Sequence, residues 1–117
     1  MKNLVLAYLG DAVFELYVRE YLINKGISNV NDLQQASLKY VSANSQRKIL
    51  ERLITLNILN NNEIAIIKQG RNAQSHRSKS TDIVTYRKST GFECLIGYLY
   101  INDKTRLNII MEKILCE

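Results

Sequence analysis

Two acidic side chains stand among residues that would otherwise build a hydrophobic core. Asp11 lies in Leu9-Gly10-Asp11-Ala12-Val13-Phe14, and Glu93 lies in Phe92-Glu93-Cys94-Leu95-Ile96-Gly97. An unpaired carboxylate in apolar surroundings is costly. Each acid must therefore be exposed at an edge, paired with a base, protonated or bound to a cation. Each also has a glycine beside it: Gly10 precedes Asp11, and Gly97 stands one turn beyond Glu93 on the same helical face. A mid-helix glycine costs about 1 kcal/mol relative to alanine and often marks close backbone approach. The two helices are thus expected to cross near their acids. Carboxylates brought to roughly 4 Å repel by about 4 kcal/mol at an effective dielectric of 20, unless a proton or cation lies between them. Mg²⁺ is the natural candidate, because it is held by one or two carboxylates, keeps several waters and also takes phosphate oxygens. In that position it could activate water and stabilise a departing oxygen.

The elements that must position these acids read as helices. Proline is absent, and apolar residues recur three and four apart, so the expected fold is all-α, a single domain over residues 1–117. The first helix runs from about Asn3 to Lys25 and stops at Gly26. Asn31 followed by Gln34 resembles a capping box and opens a short helix to about Tyr40. Ser42 offers the next cap, ahead of the stripe Ile49, Leu50, Leu53, Ile54 and Leu56. Asn60, Asn61 and Asn62 interrupt that stripe before a short helix from Glu63 to about Gln69. Residues Gly70 to Thr81 lack apolar periodicity and read as a basic loop. A long helix follows from about Asp82 to Tyr100, and Asn102 or Asp103 caps a last one ending near Leu115.

The chain carries a net charge of +5, from 16 Lys plus Arg against 11 Asp plus Glu. Between Lys68 and Lys88 the bases Lys68, Arg71, Arg77, Lys79, Arg87 and Lys88 face only Asp82. Such a footprint favours a polyanionic partner. Cys94 and Cys116 form neither a close pair nor a zinc-ligand spacing, which fits a reducing, cytoplasmic setting. The apolar start is broken by Gly10, Asp11 and Glu15, so neither a signal peptide nor a membrane span is expected.

The segment Leu6-Ala7-Tyr8-Leu9-Gly10-Asp11-Ala12-Val13-Phe14-Glu15 resembles the signature helix of the ribonuclease III family, in the form of its Mini-ribonuclease III branch. Val41-Ser42-Ala43, Gly70-Arg71-Asn72-Ala73, Thr81-Asp82, Tyr86-Arg87 and Ser89-Thr90-Gly91-Phe92-Glu93 resemble the motifs of that branch in the same order. The resemblance implies a homodimeric helical endonuclease that hydrolyses double-stranded RNA with Mg²⁺, for which Mn²⁺ could substitute. Each subunit would cut one strand, leaving 5′-phosphate and 3′-hydroxyl ends with a short 3′ overhang. The implied role is maturation of large-subunit (23S) ribosomal RNA precursor in bacteria. Asp11 and Glu93 take the places of the family's central catalytic carboxylates. The larger relatives carry two further acids where this chain has Ala7 and Thr90, a reduction that the smaller branch shares. Glu15 reads either as an outer-shell metal ligand or as a salt-bridge partner.

No double-stranded-RNA-binding domain is expected after the last helix, so the catalytic body is expected to bind its own substrate. A-form RNA is read through shape, phosphates and 2′-hydroxyls, which makes Arg71, Asn72, Arg77, Lys79, Arg87 and Lys88 the contact candidates. His76, in the basic loop, reads as a solvated or RNA-contacting side chain more readily than as a general base. Cys94 lies about 100° around the helix from Glu93 and should pack in the core. Tyr8, Tyr17, Tyr21, Tyr98 and Tyr100 read as packing or dimer residues. Two alternatives remain: a catalytically silent RNA-binding module of the same fold, and a helical DNA-binding regulator, which would leave Asp11 and Glu93 without a purpose.

Overall fold

The computed structural model describes residues 1–73 and 82–116, and these fold into six helices. They are α1 (Asn3–Asn24), α2 (Val30–Val41), α3 (Ala43–Thr55), α4 (Asn61–Asn72), α5 (Ile83–Asn102) and α6 (Lys104–Leu115). The all-α architecture expected from the sequence is what forms. Among the described residues no helix is long and apolar enough to cross a membrane.

Helix α5 is the axis of the fold, because its apolar residues run all round it and bury only if neighbours surround it. It packs against α1, α3, α4 and α6. Phe92, Leu95, Ile96 and Leu99 of α5 join Phe14 and Val18 of α1, Leu53 of α3, Ile67 of α4, and Leu107 and Ile110 of α6 in one core. Phe14 and Phe92 meet edge to face with ring centroids 5.0 Å apart. Each lies one residue from an acid or its turn neighbour, so this aromatic pair sets the depth at which α1 meets α5.

The caps correct several expected boundaries. Asn29, not Asn31, starts α2: its side chain accepts from the Asn31 and Asp32 backbone N–H groups. Helix α4 begins before Glu63, because Asn60 and Glu63 form a reciprocal capping box. It also continues past Gln69 through Gly70, Arg71 and Asn72, which the sequence had suggested as loop. Gly70 does not stop the helix; it lets α4 close on Cys94 and Gly91 of α5. Ser42 and Asp103 cap α3 and α6 as expected, and Asp82 caps α5, each side chain accepting a backbone N–H in the first turn.

The α4 cap doubles as a tertiary link. Glu63 is 2% exposed and accepts from Arg106 Nε at 2.7 Å and Nη2 at 2.9 Å. Burial pushes the Glu63 carboxyl upward, but Arg106 and the Asn60 backbone N–H outweigh it and hold the group below the usual carboxylate range. Arg106 also donates to the Ile58 carbonyl, so one guanidinium locks α6 to α4 and to the turn before it.

Candidate active site

Helices α1 and α5 cross at their glycines, as the sequence suggested. A Cβ on Gly10 would strike the carbonyl oxygen of Glu93, and one on Gly97 would strike the carbonyl oxygen of Leu6. Backbone-to-backbone packing of this kind leaves no room for a side chain between the helices. It delivers Asp11 and Glu93, the residues adjoining the contact, to the same place. Both line one open pocket together with Leu4, Ala7, Tyr8, Tyr86, Ser89 and Thr90.

The acids occupy different environments. Asp11 is exposed at the rim, while Glu93 is half-buried below it. Burial, and then the hydrogen-bonding and charge of the adjacent Asp11 carboxyl, push Glu93 up to about 8. A neighbouring Gln46 side chain acts in the opposite sense and favours the charged form. A cation bound between the two carboxyls would favour the charged form of Glu93 and oppose these effects.

The chemistry of the donors fits a small hard cation. Two carboxylates at an open pocket offer oxygen ligands and leave room for water and phosphate oxygens. Among the described residues no group of three or more His, Cys, Asp or Glu side chains is gathered at one point. Ala7 and Thr90 account for this, since both line the pocket without offering a carboxylate. Thr90 Oγ1 donates to the Tyr86 carbonyl. Glu15 is not part of the pocket lining and instead accepts from Arg19 Nη2 at 3.0 Å.

A polar seam between α3 and α5 fixes the floor of the pocket. Asp82 caps α5 by accepting from Thr85 N at 2.8 Å and Thr85 Oγ1 at 2.9 Å, and Arg47 of α3 donates to the same hydroxyl at 2.9 Å. One turn further along α5, the Ser89 hydroxyl donates to Gln46 Oε1. Glu51 then bridges Arg47 at 3.3 Å and Lys88 at 2.7 Å. Gln46 and Ser89 were not singled out from the sequence. The available signal was Ser89 standing one turn before Glu93, inside a motif already quoted.

The basic candidates separate. Arg71 and Asn72 end α4 on the surface, and the Arg71 backbone lies beside Gly91, two residues from Glu93. Arg87 is also exposed, near the start of α5. Lys88 is turned inward to Glu51. Arg77, Lys79 and His76 lie outside the described residues. Cys94 is fully buried, as expected. Tyr17 donates to Asn108 Oδ1 at 2.6 Å, and Tyr21 packs edge-on to Tyr40. Tyr8, by contrast, is 84% exposed in the lining of the pocket.

Comparison with known proteins places this crossing in a family. The model of the Ribonuclease III domain matches residues 4–104. The chain belongs to the ribonuclease III family. Its curated relatives narrow the placement to the Mini-ribonuclease III branch. It is 47% identical over 117 residues to Mini-ribonuclease 3 of Staphylococcus aureus, spanning 98% of this chain and 87% of the relative. It is 46% identical to Mini-ribonuclease 3 of Acholeplasma laidlawii, over 91% of this chain and 85% of that protein. A crystal structure of a Fusobacterium nucleatum protein superposes with a TM-score of 0.87 at 27% identity, covering 99% of this chain and 94% of that one. Family membership makes the chain a ribonuclease III-type endoribonuclease.

Proposed function

We propose that the protein is a homodimeric, Mg²⁺-dependent endoribonuclease specific for double-stranded RNA, acting in the bacterial cytoplasm on the precursor of 23S ribosomal RNA. The observation that carries the reading is the Asp11–Glu93 pair, delivered to one open pocket by the Gly10 and Gly97 crossing, where burial first and Asp11 second push Glu93 up to about 8. A fold that stabilised itself alone would not hold two acids there. A divalent cation, Mg²⁺ or Mn²⁺, removes their repulsion and supplies charge stabilisation for phosphate and activation of water.

In this reading Asp11, at the rim, and Glu93, at the floor, hold the cation from two helices, so its position is fixed by the core and not by a loop. The open mouth admits a phosphodiester backbone. Arg71 and Asn72 on α4 and Arg87 on α5 neutralise flanking phosphates, with Arg77 and Lys79 assigned the same role from sequence. Lys88 serves mainly to hold α5 against α3 through Glu51. Glu15 steadies α1 through Arg19 and does not touch the cation.

Association of two copies is supported by the surface of α1. Val5, Tyr8, Leu16 and Ile23 are all exposed, at helical spacings that put them on one face, and Asp11 stands beside that stripe. Two sites brought together by a symmetric contact would cut the two strands of one duplex. The test is cleavage of an end-labelled RNA duplex with Mg²⁺ or with a chelator, mapped on both strands. Metal-dependent cuts with a short 3′ stagger are expected. Binding without cleavage in either metal would overturn the enzymatic reading, and equal cleavage of duplex DNA would overturn the RNA specificity.

A further inference from the structure

Gln46 is 1% exposed, and it carries a buried side-chain nitrogen for which the protein completes no hydrogen bond among the described residues. A buried donor left unpaired costs about 1–3 kcal/mol, so its retention needs a reason. The other end of the same amide is accounted for, because the Ser89 hydroxyl donates to Oε1. That bond orients the carboxamide and leaves Nε2 as the free end. Ser42 caps α3 one turn earlier, and Arg47 is tied to Thr85, so neither helix can slide to relieve the orphan. Glu93 stands one turn beyond Ser89 on α5, and the Gln46 amide lies beside its carboxyl, favouring the charged form.

We propose that Gln46 is a positioning residue for the metal site: Ser89 anchors its Oε1, and its Nε2 donates to the ionised Glu93 carboxylate, holding that ligand toward Asp11. The role rests on the metal-dependent reading of Asp11 and Glu93. A neutral donor behind one of two carboxylates fixes the direction of its lone pairs and leaves the charge of the site unchanged. Hydrogen bonds from behind a metal ligand typically matter about 10- to 100-fold in metal affinity.

The experiment measures Mn²⁺ affinity by calorimetry in the full chain without RNA, alongside thermal unfolding. Wild type should bind Mn²⁺ and Asp11→Asn should not. Gln46→Met fills the same volume without a donor, and it should fold, bind Mn²⁺ about tenfold or more weakly and need a correspondingly higher Mn²⁺ concentration for half-maximal cleavage, with the KM for RNA unchanged. Should Gln46→Met fail to fold, Ser89→Ala serves instead. It removes only the anchor and should weaken Mn²⁺ by about two- to tenfold, the worth of one hydrogen bond. Wild-type affinity in the folded Gln46→Met protein, or in Ser89→Ala where that variant is needed, overturns the role of Gln46 alone. Absence of Mn²⁺ binding by wild type overturns the metal site and this role together.

Discussion

Replacing Glu93 with glutamine should make the metal-free protein more stable at alkaline pH while removing its activity. The half-buried Glu93 carboxyl is pushed from 4.5 up to about 8 by burial and by Asp11, so between those values the folded chain holds a proton that the unfolded chain has released. Because the folded value is the raised one, wild-type stability is highest below about pH 4.5 as far as this group is concerned. It is lost as pH rises through about 8. A span from 4.5 to about 8 corresponds to at most on the order of 5 kcal/mol. Solvent at the open pocket mouth reduces this, and about 2 kcal/mol is expected. For a domain of this size that is a Tm difference of about 8 °C. The assay is thermal unfolding by circular dichroism in chelator at pH 5 and pH 8.5. The Gln variant should match wild type at pH 5 and exceed it at pH 8.5, and added Mg²⁺ should raise Tm only for wild type. An offset between the two proteins that is the same at both pH values would refute the reasoning.

Three other perturbations test the parts of the structure separately. Glu63→Ala strands the Arg106 guanidinium and should cost about 3–5 kcal/mol in urea unfolding, whereas a loss under about 1 kcal/mol would show that the pair does not hold α6 to α4. Gly97→Ala drives a methyl into the Leu6 carbonyl and should cost about 3 kcal/mol despite alanine's better helix propensity. Its surviving folded fraction should bind Mn²⁺ more weakly, because α1 can make room only by moving Asp11 from Glu93. Arg71→Ala and Arg87→Ala should each lower the steepness of the log affinity against log salt plot for duplex RNA by about one, and an unchanged slope would take that residue off the contact surface.

Much of this architecture was legible in the sequence, and the exceptions have physical causes. The acids and glycines of α1 and α5 announced the crossing because a carboxylate and a glycine are both expensive inside an apolar helix. Ser42 and Asp103 were readable as caps because a short polar side chain ahead of an apolar run has few other uses. The start of α2 was misplaced by two residues, since Asn29 and Asn31 are chemically alike and only the backbone turn decides which one accepts the orphan N–H groups. The end of α4 was cut short because apolar periodicity runs out at Gly70. Its purpose, close packing on Cys94 and Gly91, depends on a helix that lies elsewhere in the sequence. Gln46 was invisible for a similar reason. In α3 it is one polar residue among several, and it becomes part of the site only when Ser89 and Glu93 are brought against it.

If Asp11 and Glu93 act as one metal-holding unit that cuts RNA, Asp11→Asn should disable it, as read on a labelled RNA duplex with Mg²⁺. The substitution removes charge at nearly constant shape from an exposed position, so folding and duplex affinity should stay at wild-type levels while cleavage is lost. Cleavage by the folded Asn variant at the wild-type rate would contradict the account.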